Sequence, residues 1–139
     1  MKYQRFGNMI AVRLEVGDDI GAKLTELAEK EKIGFASVSG IGATDDFTVG
    51  IFDMDKGTYD RVRFTGNHEI TSLSGNLSRM NGEAYTHLHI TCAGKNGAIV
   101  GGHLLGARIS LTAEITVTEA DGQIERRRDE ALGINLLSI

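Results

Sequence analysis

The sequence contains no proline and only one cysteine, Cys92, among its 139 residues. The absence of proline excludes a rigid proline-rich linker, and a single cysteine cannot form an intrachain disulfide. No segment has the roughly 20 consecutive apolar residues that a membrane-spanning helix needs. The N-terminal stretch MKYQRFGNMIAVRLEVGDD also lacks the apolar core and the cleavage site of a secretion signal. These absences predict a soluble protein with a cytoplasmic location and no membrane partner.

An excess of positive charge is also missing. The chain has 15 Lys and Arg against 19 Asp and Glu, which gives a net charge of −4. The densest basic run, Arg126–Arg128, is flanked by Glu125 on one side and by Asp129 and Glu130 on the other. Such a mixed run predicts an exposed segment that neutralises itself. Because phosphate contacts dominate nucleic-acid affinity, this charge balance argues against direct nucleic-acid binding.

One segment has the pattern of an amphipathic helix, over about residues 19–32. Asp18 or Asp19 can cap its N-terminus, and Gly34 can end it. The apolar positions follow the spacing i, i+4, i+7 and i+8 that places side chains on one face. They are Ile20, Leu24, Leu27 and Ala28.

The remaining segments favour β-strands, because apolar and polar residues alternate between turn signals. The predicted strands are 8–16, 35–43, 46–53, 58–64, 68–80, 83–93 and 108–120. The dipeptides at 81–82 and 121–122 predict hairpin turns, and the spacing of apolar residues predicts a bulge near Gly75. We therefore expect one α+β domain over residues 1–139, with a mainly antiparallel sheet and one clear helix; a second short helix is allowed.

The segment THLHI carries two of the four histidines. Side chains alternate along a strand, so His87 and His89 share a face, with Cα atoms roughly 6.5–7 Å apart. Two imidazoles at this spacing can converge on one ion. Leu88, Ile90 and Cys92 fall on the opposite face, which predicts a core position and an inert buried thiol for Cys92.

A third histidine follows in the segment VGGHLLG. His103 lies 14 residues after His89, beyond the turn at 94–97. If residues 98–105 return as a strand beside 83–93, His103 reaches the same face, and Gly101–Gly102 permit the close backbone approach this requires. Three neutral imidazoles with an open position form a recurring zinc site, and imidazole also suits iron, nickel and copper.

The histidine pattern is open to a simpler interpretation. A pair spaced H-x-H is also typical of polar residues that are partly buried or face solvent. The fourth histidine, His68, has no partner that the sequence identifies, and we expect it at the surface or at an interface.

The chain resembles the PPC (plants and prokaryotes conserved) domain, of the prokaryotic single-domain type. The similar segments are THLHITCAGKNGAIVGGHLLG (86–106), ISLTAEITV (109–117), EITSLSGNLS (69–78) and VSGIGATDDFTVGIFD (38–53). The resemblance implies an α+β fold, a homotrimer, and a metal, often zinc, held by His87, His89 and His103.

The family's T-x-E pattern matches Thr112 and Glu114, which the resemblance places near the metal. Glu114 could orient a ligand histidine, act as a general base, or be a structural carboxylate at a trimer interface. Plant members of the family carry AT-hooks that bind the minor groove of DNA. This chain has no such motif, so a DNA-binding role does not follow from the resemblance.

Three functions remain open, and the sequence leaves enzymatic activity undecided. The first is a metal-binding, homotrimeric assembly or regulatory module. The alternative is a metal-dependent enzyme acting on a small molecule at an open three-histidine site; direct DNA binding, by family association, is the third. The enzyme hypothesis requires a concave pocket at the metal and a ligand set that stops at three, whereas a structural ion would be enclosed.

Overall fold

A computed structural model describes all 139 residues as eight strands and one helix. In chain order these are β1 (Lys2–Phe6), β2 (Met9–Glu15), α1 (Ile20–Lys30), β3 (Ala36–Asp53), β4 (Thr58–Met80), β5 (Glu83–Ala93), β6 (Ile99–Glu119), β7 (Arg126–Asp129) and β8 (Ile134–Leu137). All strand pairings between these elements are antiparallel. The predicted α+β class is therefore confirmed, and no second helix forms.

The helix lies where the apolar stripe predicts it. Asp19 is its N-cap, and the Oδ1 atom of Asp19 accepts a hydrogen bond of 2.9 Å from the amide of Ala22. The buried residues of α1 are the four predicted from the spacing. The helix ends at Lys30, two residues early, because Lys32 takes a left-handed backbone conformation with φ of 54°.

Three pairs of predicted strands are continuous in the structure. The predicted segments 35–43 and 46–53 fall in β3, 58–64 and 68–80 in β4, and 98–105 and 108–120 in β6, each within one residue of the strand ends. Register shifts replace the expected breaks, for instance between Thr44 and Asp46 of β3. A bulge inserts a residue without ending a strand, so the polar residues at these points bend the strands.

The predicted bulge near Gly75 is wrong. Gly75 pairs in register with Leu88 of β5, and the shift between these two strands falls between Ile70 and Ser72. At Gly75 the backbones of β4 and β5 approach each other closely. A Cβ atom placed on Gly75 would lie 2.0 Å from the carbonyl oxygen of His87.

The large sheet closes partly on itself. Its strand order is β1-β2-β6-β3-β4-β5, and β5 pairs in addition with β6. Strands β3, β4, β5 and β6 thus form a ring. His103 is at the closing point, because it pairs with Gly50 of β3 and with His89 of β5.

The two C-terminal strands form a separate hairpin, and the predicted hairpin turn at 121–122 is wrong. Strand β7 pairs with β8 and not with β6. The chain leaves β6 and passes over Gly34, whose carbonyl accepts a hydrogen bond of 3.3 Å from the amide of Ile124. The carbonyl of Ile124 accepts another, of 3.0 Å, from the amide of Arg79. These bonds occupy the backbone groups that a β6–β7 hairpin would use.

Helix α1 packs against β5 and β6, and one continuous apolar core lies between helix and sheet. Leu88, Ile90 and Cys92 are buried in this core, as the alternation along β5 predicts. The opposite face of β5 is left to the histidines. The helix is too short and too polar to cross a lipid bilayer.

Candidate metal centre

The structure brings the three predicted ligand histidines together. His87 and His89 project from one face of β5, and His103 joins them from β6. Their ring centroids are 5.2 to 5.4 Å apart. One nitrogen from each ring can be chosen so that all three lie within 4.8 Å of one another. Adjacent strands with alternating side chains are sufficient to produce this triangle.

Glycines permit the close strand packing at this point. A Cβ atom on Gly101 would lie 2.2 Å from the carbonyl oxygen of Ile90, and one on Gly102 would lie 3.1 Å from the carbonyl oxygen of Gly50. No larger residue fits at Gly101 without moving β5 or β6. The close approach predicted from the glycine pair is therefore confirmed.

The surroundings keep two of the rings in the neutral form. Burial lowers the pKa of His103 to about 4, and its neighbours His87 and His89 lower it further in the same direction. Burial also lowers the pKa of His87, with an added contribution from the charge of Arg126. Neutral imidazole is the state that offers a lone pair to a metal ion.

The donor set fits a divalent transition metal. The Nδ1 atom of His103 is buried without a hydrogen-bond partner, which is costly for a polar atom unless a ligand satisfies it. The group contains no fourth His, Cys, Asp or Glu. Tetrahedral coordination at 2.0–2.1 Å places ligand nitrogens about 3.4 Å apart, so the rings need to approach one another by about an ångström.

An open cavity adjoins the histidines. It has a volume of about 690 Å³, and His87 and His103 form part of its wall. Tyr59 of β4 stacks on the His103 ring, with centroids 4.7 Å apart and planes inclined by 21°. The β7–β8 hairpin supplies the opposite wall, including Arg126 and Asn135. A molecule in this cavity can therefore contact the histidine group directly.

The buried Arg126 is the main feature that the sequence did not predict. Its run was expected to be exposed, yet Arg126 is only 5% exposed, whereas Arg127 and Arg128 do face solvent. Alternation along β7 turns Arg126 inward and Arg127 outward. The sequence feature that could have predicted this burial is the apolar tail LGINLLSI. It contains β8, which pairs with residues 126–129 and packs their hairpin against the protein.

Hydrogen bonds fix the guanidinium of Arg126. Its Nε atom donates to Ser78 Oγ at 2.9 Å, Nη1 to the carbonyl of Asn135 at 2.8 Å, and Nη2 to Asn76 Oδ1 at 2.8 Å. The Nη2 atom also lies 3.4 Å from His87 Nδ1. Arginine can only donate, so a metal bound to His87 Nε2, which leaves the ring proton on Nδ1, requires Nη2 to give up this contact.

Glu114 lies apart from the histidines within one chain. It pairs in register with Arg13 of β2 and with Ile41 of β3, near the other end of β6 from His103. It lines different surface cavities from the one at the histidines. The Thr112 hydroxyl beside it donates to the carbonyl of Leu14 at 3.2 Å. A role for Glu114 as general base or orienting group stays a prediction that requires a second copy of the chain.

His68 and Cys92 take no part in the site. His68 is half-buried, its Nδ1 atom lies 2.7 Å from the carbonyl oxygen of Gly66, and its ring packs edge-on against Phe47. Cys92 is fully buried, and burial raises the pKa of its thiol to about 11. A thiol with this pKa is protonated near neutral pH and is a poor nucleophile or metal ligand.

The fold and the site together define an α+β protein with a three-histidine cluster that faces an open pocket. The family model of the Plants and Prokaryotes Conserved (PCC) domain matches residues 1–121. The chain belongs to this family, which is the PPC family that the sequence resembles.

Solved structures give the same fold. A Bacteroides thetaiotaomicron protein whose proposed role is DNA binding is 31% identical, with a TM-score of 0.95 over 99% of this chain and 96% of that one. A metal-containing protein from Archaeoglobus fulgidus is 30% identical, with a TM-score of 0.87 over all of both chains.

A much longer protein is similar in sequence. The bifunctional protein GlmU of Synechococcus sp. is 32% identical over 132 residues, and this chain spans 18% of the length of that relative.

Proposed function

We propose that the protein binds a divalent transition metal through His87, His89 and His103, and that a small molecule occupies the cavity beside it. The observation that carries the proposal is the convergence of three ligand nitrogens at the wall of an open cavity. A relative of the same fold that is described as metal-containing supports it. Zinc is the first candidate, and iron and nickel also suit imidazole ligands.

The geometry favours metal-dependent chemistry over a purely structural ion. A structural zinc has four protein ligands and is closed to solvent, whereas a catalytic zinc keeps a position free. Here the group stops at three histidines, and two of them line the cavity. When bound, the metal supplies a Lewis-acid position there. Tyr59, which stacks on the His103 ring, orients that ligand ring.

Metal content per chain tests this function. The protein is purified without an affinity tag, incubated with zinc, dialysed and analysed for metal. We expect about one zinc per chain in the wild type and a loss of that zinc in His89→Ala and in His103→Ala. The matched control is His68→Ala, which removes a histidine outside the group and should leave the zinc in place. A wild type without metal after this treatment overturns the proposal.

A homotrimer is the second part of the proposal. Ile41 and Leu111 are 58% and 69% exposed and line a cavity with Glu114 on the open face of the sheet. Apolar side chains grouped on an open face are typical of an interface. Sedimentation equilibrium checks this assembly, because a trimer has three times the 15.0 kDa mass of the chain. A single species of 15.0 kDa contradicts it.

Direct DNA binding is the third function, and charge argues against it. The net charge of −4 lacks the basic surface that phosphate contacts need. The observation in favour of DNA binding is the DNA-binding role proposed for the Bacteroides relative. We expect no shift of a labelled duplex in a gel-mobility assay at physiological salt. The cytoplasmic location expected from the sequence remains part of the proposal.

A further inference from the structure

The pocket beside the histidines contains a buried positive charge without a carboxylate partner. Arg126 is 5% exposed, and neither Arg126 nor Arg128 takes part in any of the chain's ion pairs. Burying a charge away from water costs free energy unless an opposite charge compensates it. Neutral oxygens and the ring of Tyr85, 4.8 Å from the guanidinium, supply the existing compensation.

The wall of this cavity carries charge of one sign only. Arg126 and Arg128 line it, and no aspartate or glutamate does. This is notable in a chain whose acidic residues outnumber its basic ones. An arginine has five N–H donors. Three of those of Arg126 are donated to Ser78, Asn135 and Asn76, and a fourth, on Nη2, faces His87 Nδ1 at 3.4 Å, so the remaining one on Nη1 stays free. Arg128 is exposed and has no carboxylate partner.

The rest of the wall is suited to an organic ligand. Ile134, Leu136 and Leu137 contribute apolar surface from the β7–β8 hairpin, and the rings of Tyr59 and Tyr85 add to it on the side of the histidines. Apolar walls with a few convergent polar groups are typical of small-molecule pockets. The Oδ1 atom of Asn135 is buried on the same hairpin without a hydrogen-bond partner. This hairpin follows residue 121, where the family-model match ends.

We propose that the ligand of this pocket is a small organic carboxylate, held between the guanidinium groups of Arg126 and Arg128 and next to the histidine group. This carboxylate assignment rests on the proposed function, because the carboxylate is the class of molecule that the proposed metal site would accept. Arg128, which makes no ion pair, can bind a carboxylate in a planar, two-pronged geometry, and Arg126 can add the free N–H of its Nη1. Arg126, His87 and His103 line the same cavity, and Arg126 Nη2 lies 3.4 Å from His87 Nδ1, so a carboxylate on Arg126 lies close to the histidine group. The apolar walls favour an organic anion over inorganic phosphate.

Calorimetric titration with three probes tests the assignment. Benzoate carries the carboxylate, benzamide is its neutral isostere, and inorganic phosphate is an anion without an apolar part. We expect benzoate to bind zinc-loaded protein about tenfold or more tightly than benzamide, because hydrogen bonds between charged groups are stronger than those to a neutral amide. Phosphate should bind more weakly than benzoate. Equal affinities for benzoate and benzamide overturn the proposal, and so does tighter binding of phosphate.

Arginine variants locate the binding. Arg128→Gln, at an exposed position, should fold normally and weaken benzoate binding about tenfold, and Arg126→Gln should weaken it further. The matched control is Arg127→Gln, which removes the same charge from the outward face of the hairpin and should leave the affinity unchanged. If Arg127→Gln and Arg128→Gln weaken benzoate binding equally, the loss of affinity follows from net charge alone, and the proposal is overturned.

Metal loading separates this inference from the proposed function. In cobalt(II)-substituted protein, benzoate and not benzamide should change the visible spectrum of the cobalt. If metal binds but benzoate leaves the spectrum and the heat of titration unchanged, the carboxylate assignment fails while the metal site stands. If no metal binds but benzoate still binds through Arg128, the metal function fails while the carboxylate assignment stands.

Discussion

His89 and His103 are direct partners across strands β5 and β6, with ring centroids 5.4 Å apart. Each lies seven residues from Asn96, in the turn of the hairpin, so the hairpin register alone sets them opposite each other. His87 is two residues from His89 on the same face and completes the triangle. One hairpin thus provides the whole donor set.

Metal binding should stabilise the fold through this group. A ligand that binds only the folded state stabilises it by about 2.7 kcal/mol at a concentration 100 times its dissociation constant. Zinc should therefore raise the melting temperature of metal-free wild type by several degrees, and it should not raise that of His103→Ala. Scanning calorimetry with and without zinc checks this. A similar rise in both proteins would contradict the assignment, and His68→Ala, which should respond like wild type, is the control.

The histidine group could be predicted from the sequence because it depends on local rules. Alternation on β5 sets His87 and His89 on one face, and a short turn returns His103. The helix followed from its stripe and its Asp19 cap for the same reason. The spacing left a polar, metal-free pair open as well, and the family resemblance favoured a metal held by the three histidines.

Features that depend on distant contacts could not be predicted. Arg126 is buried because Asn76, Ser78 and His87 offer it acceptors, and these residues are 39 to 50 positions away in the chain. In the sequence, the bulges within β3, β4 and β6 look like strand ends, since Gly, Thr and Asp are frequent in both. Glu114 was expected near the metal by family pattern, and the length of β6 keeps it from the histidines of its own chain.

Gly75→Ala should destabilise the protein and disturb the metal site. The added methyl group would lie 2.0 Å from the carbonyl oxygen of His87, and the φ of Gly75 is 154°, which L-residues rarely adopt. Overpacking and backbone strain each cost about 1–3 kcal/mol, so we expect a loss of about 2–4 kcal/mol and weaker zinc binding. Urea unfolding and zinc titration measure both effects.

Gly106→Ala is the matched control for this change. A methyl group on Gly106 would meet only Asp19 Oδ2, at 3.7 Å, and Gly106 has no positive φ. Its free energy of unfolding should stay within about 0.5 kcal/mol of wild type, as for most substitutions without a steric conflict. Equal effects of the two substitutions would show that the approach of Gly75 to His87 is not a constraint.

Arg79→Ala should cost about 2–4 kcal/mol of stability, because it leaves the carbonyl of Ile33 without its donor and removes one of the two donors to the carbonyl of Ala28, the other being the amide of Ile33. Arg79 is only 7% exposed. Its guanidinium donates to the carbonyl of Ala28, in the last turn of α1, at 3.0 Å and to the carbonyl of Ile33, just beyond the helix, at 2.9 Å. Arg63→Ala is the control, since its ion pair with Asp46 is exposed and contributes at most about 1 kcal/mol. Urea unfolding compares the two, and a smaller loss for Arg79→Ala than for Arg63→Ala would contradict this role.

The metal-free protein should lose stability in mild acid because of His103. Its pKa is about 4 when folded and 6.5 as a reference for the unfolded chain. Between these values the unfolded state binds more protons, so the free energy of unfolding falls as the pH decreases from about 6.5 towards 4. The lowered pKa of His87 acts in the same direction. Carboxylates titrate mainly below this range, so measurements between pH 7.5 and 5 isolate the histidines.

Urea unfolding of metal-free protein at several pH values measures this slope. His103→Gln removes the titrating ring while keeping a polar side chain, and its stability should depend less steeply on pH between 7.5 and 5. His68→Ala should keep the slope of wild type, since His68 lies outside the group. Identical slopes for wild type and His103→Gln would mean that His103 titrates alike in both states, contrary to its burial between Tyr59 and the other two histidines.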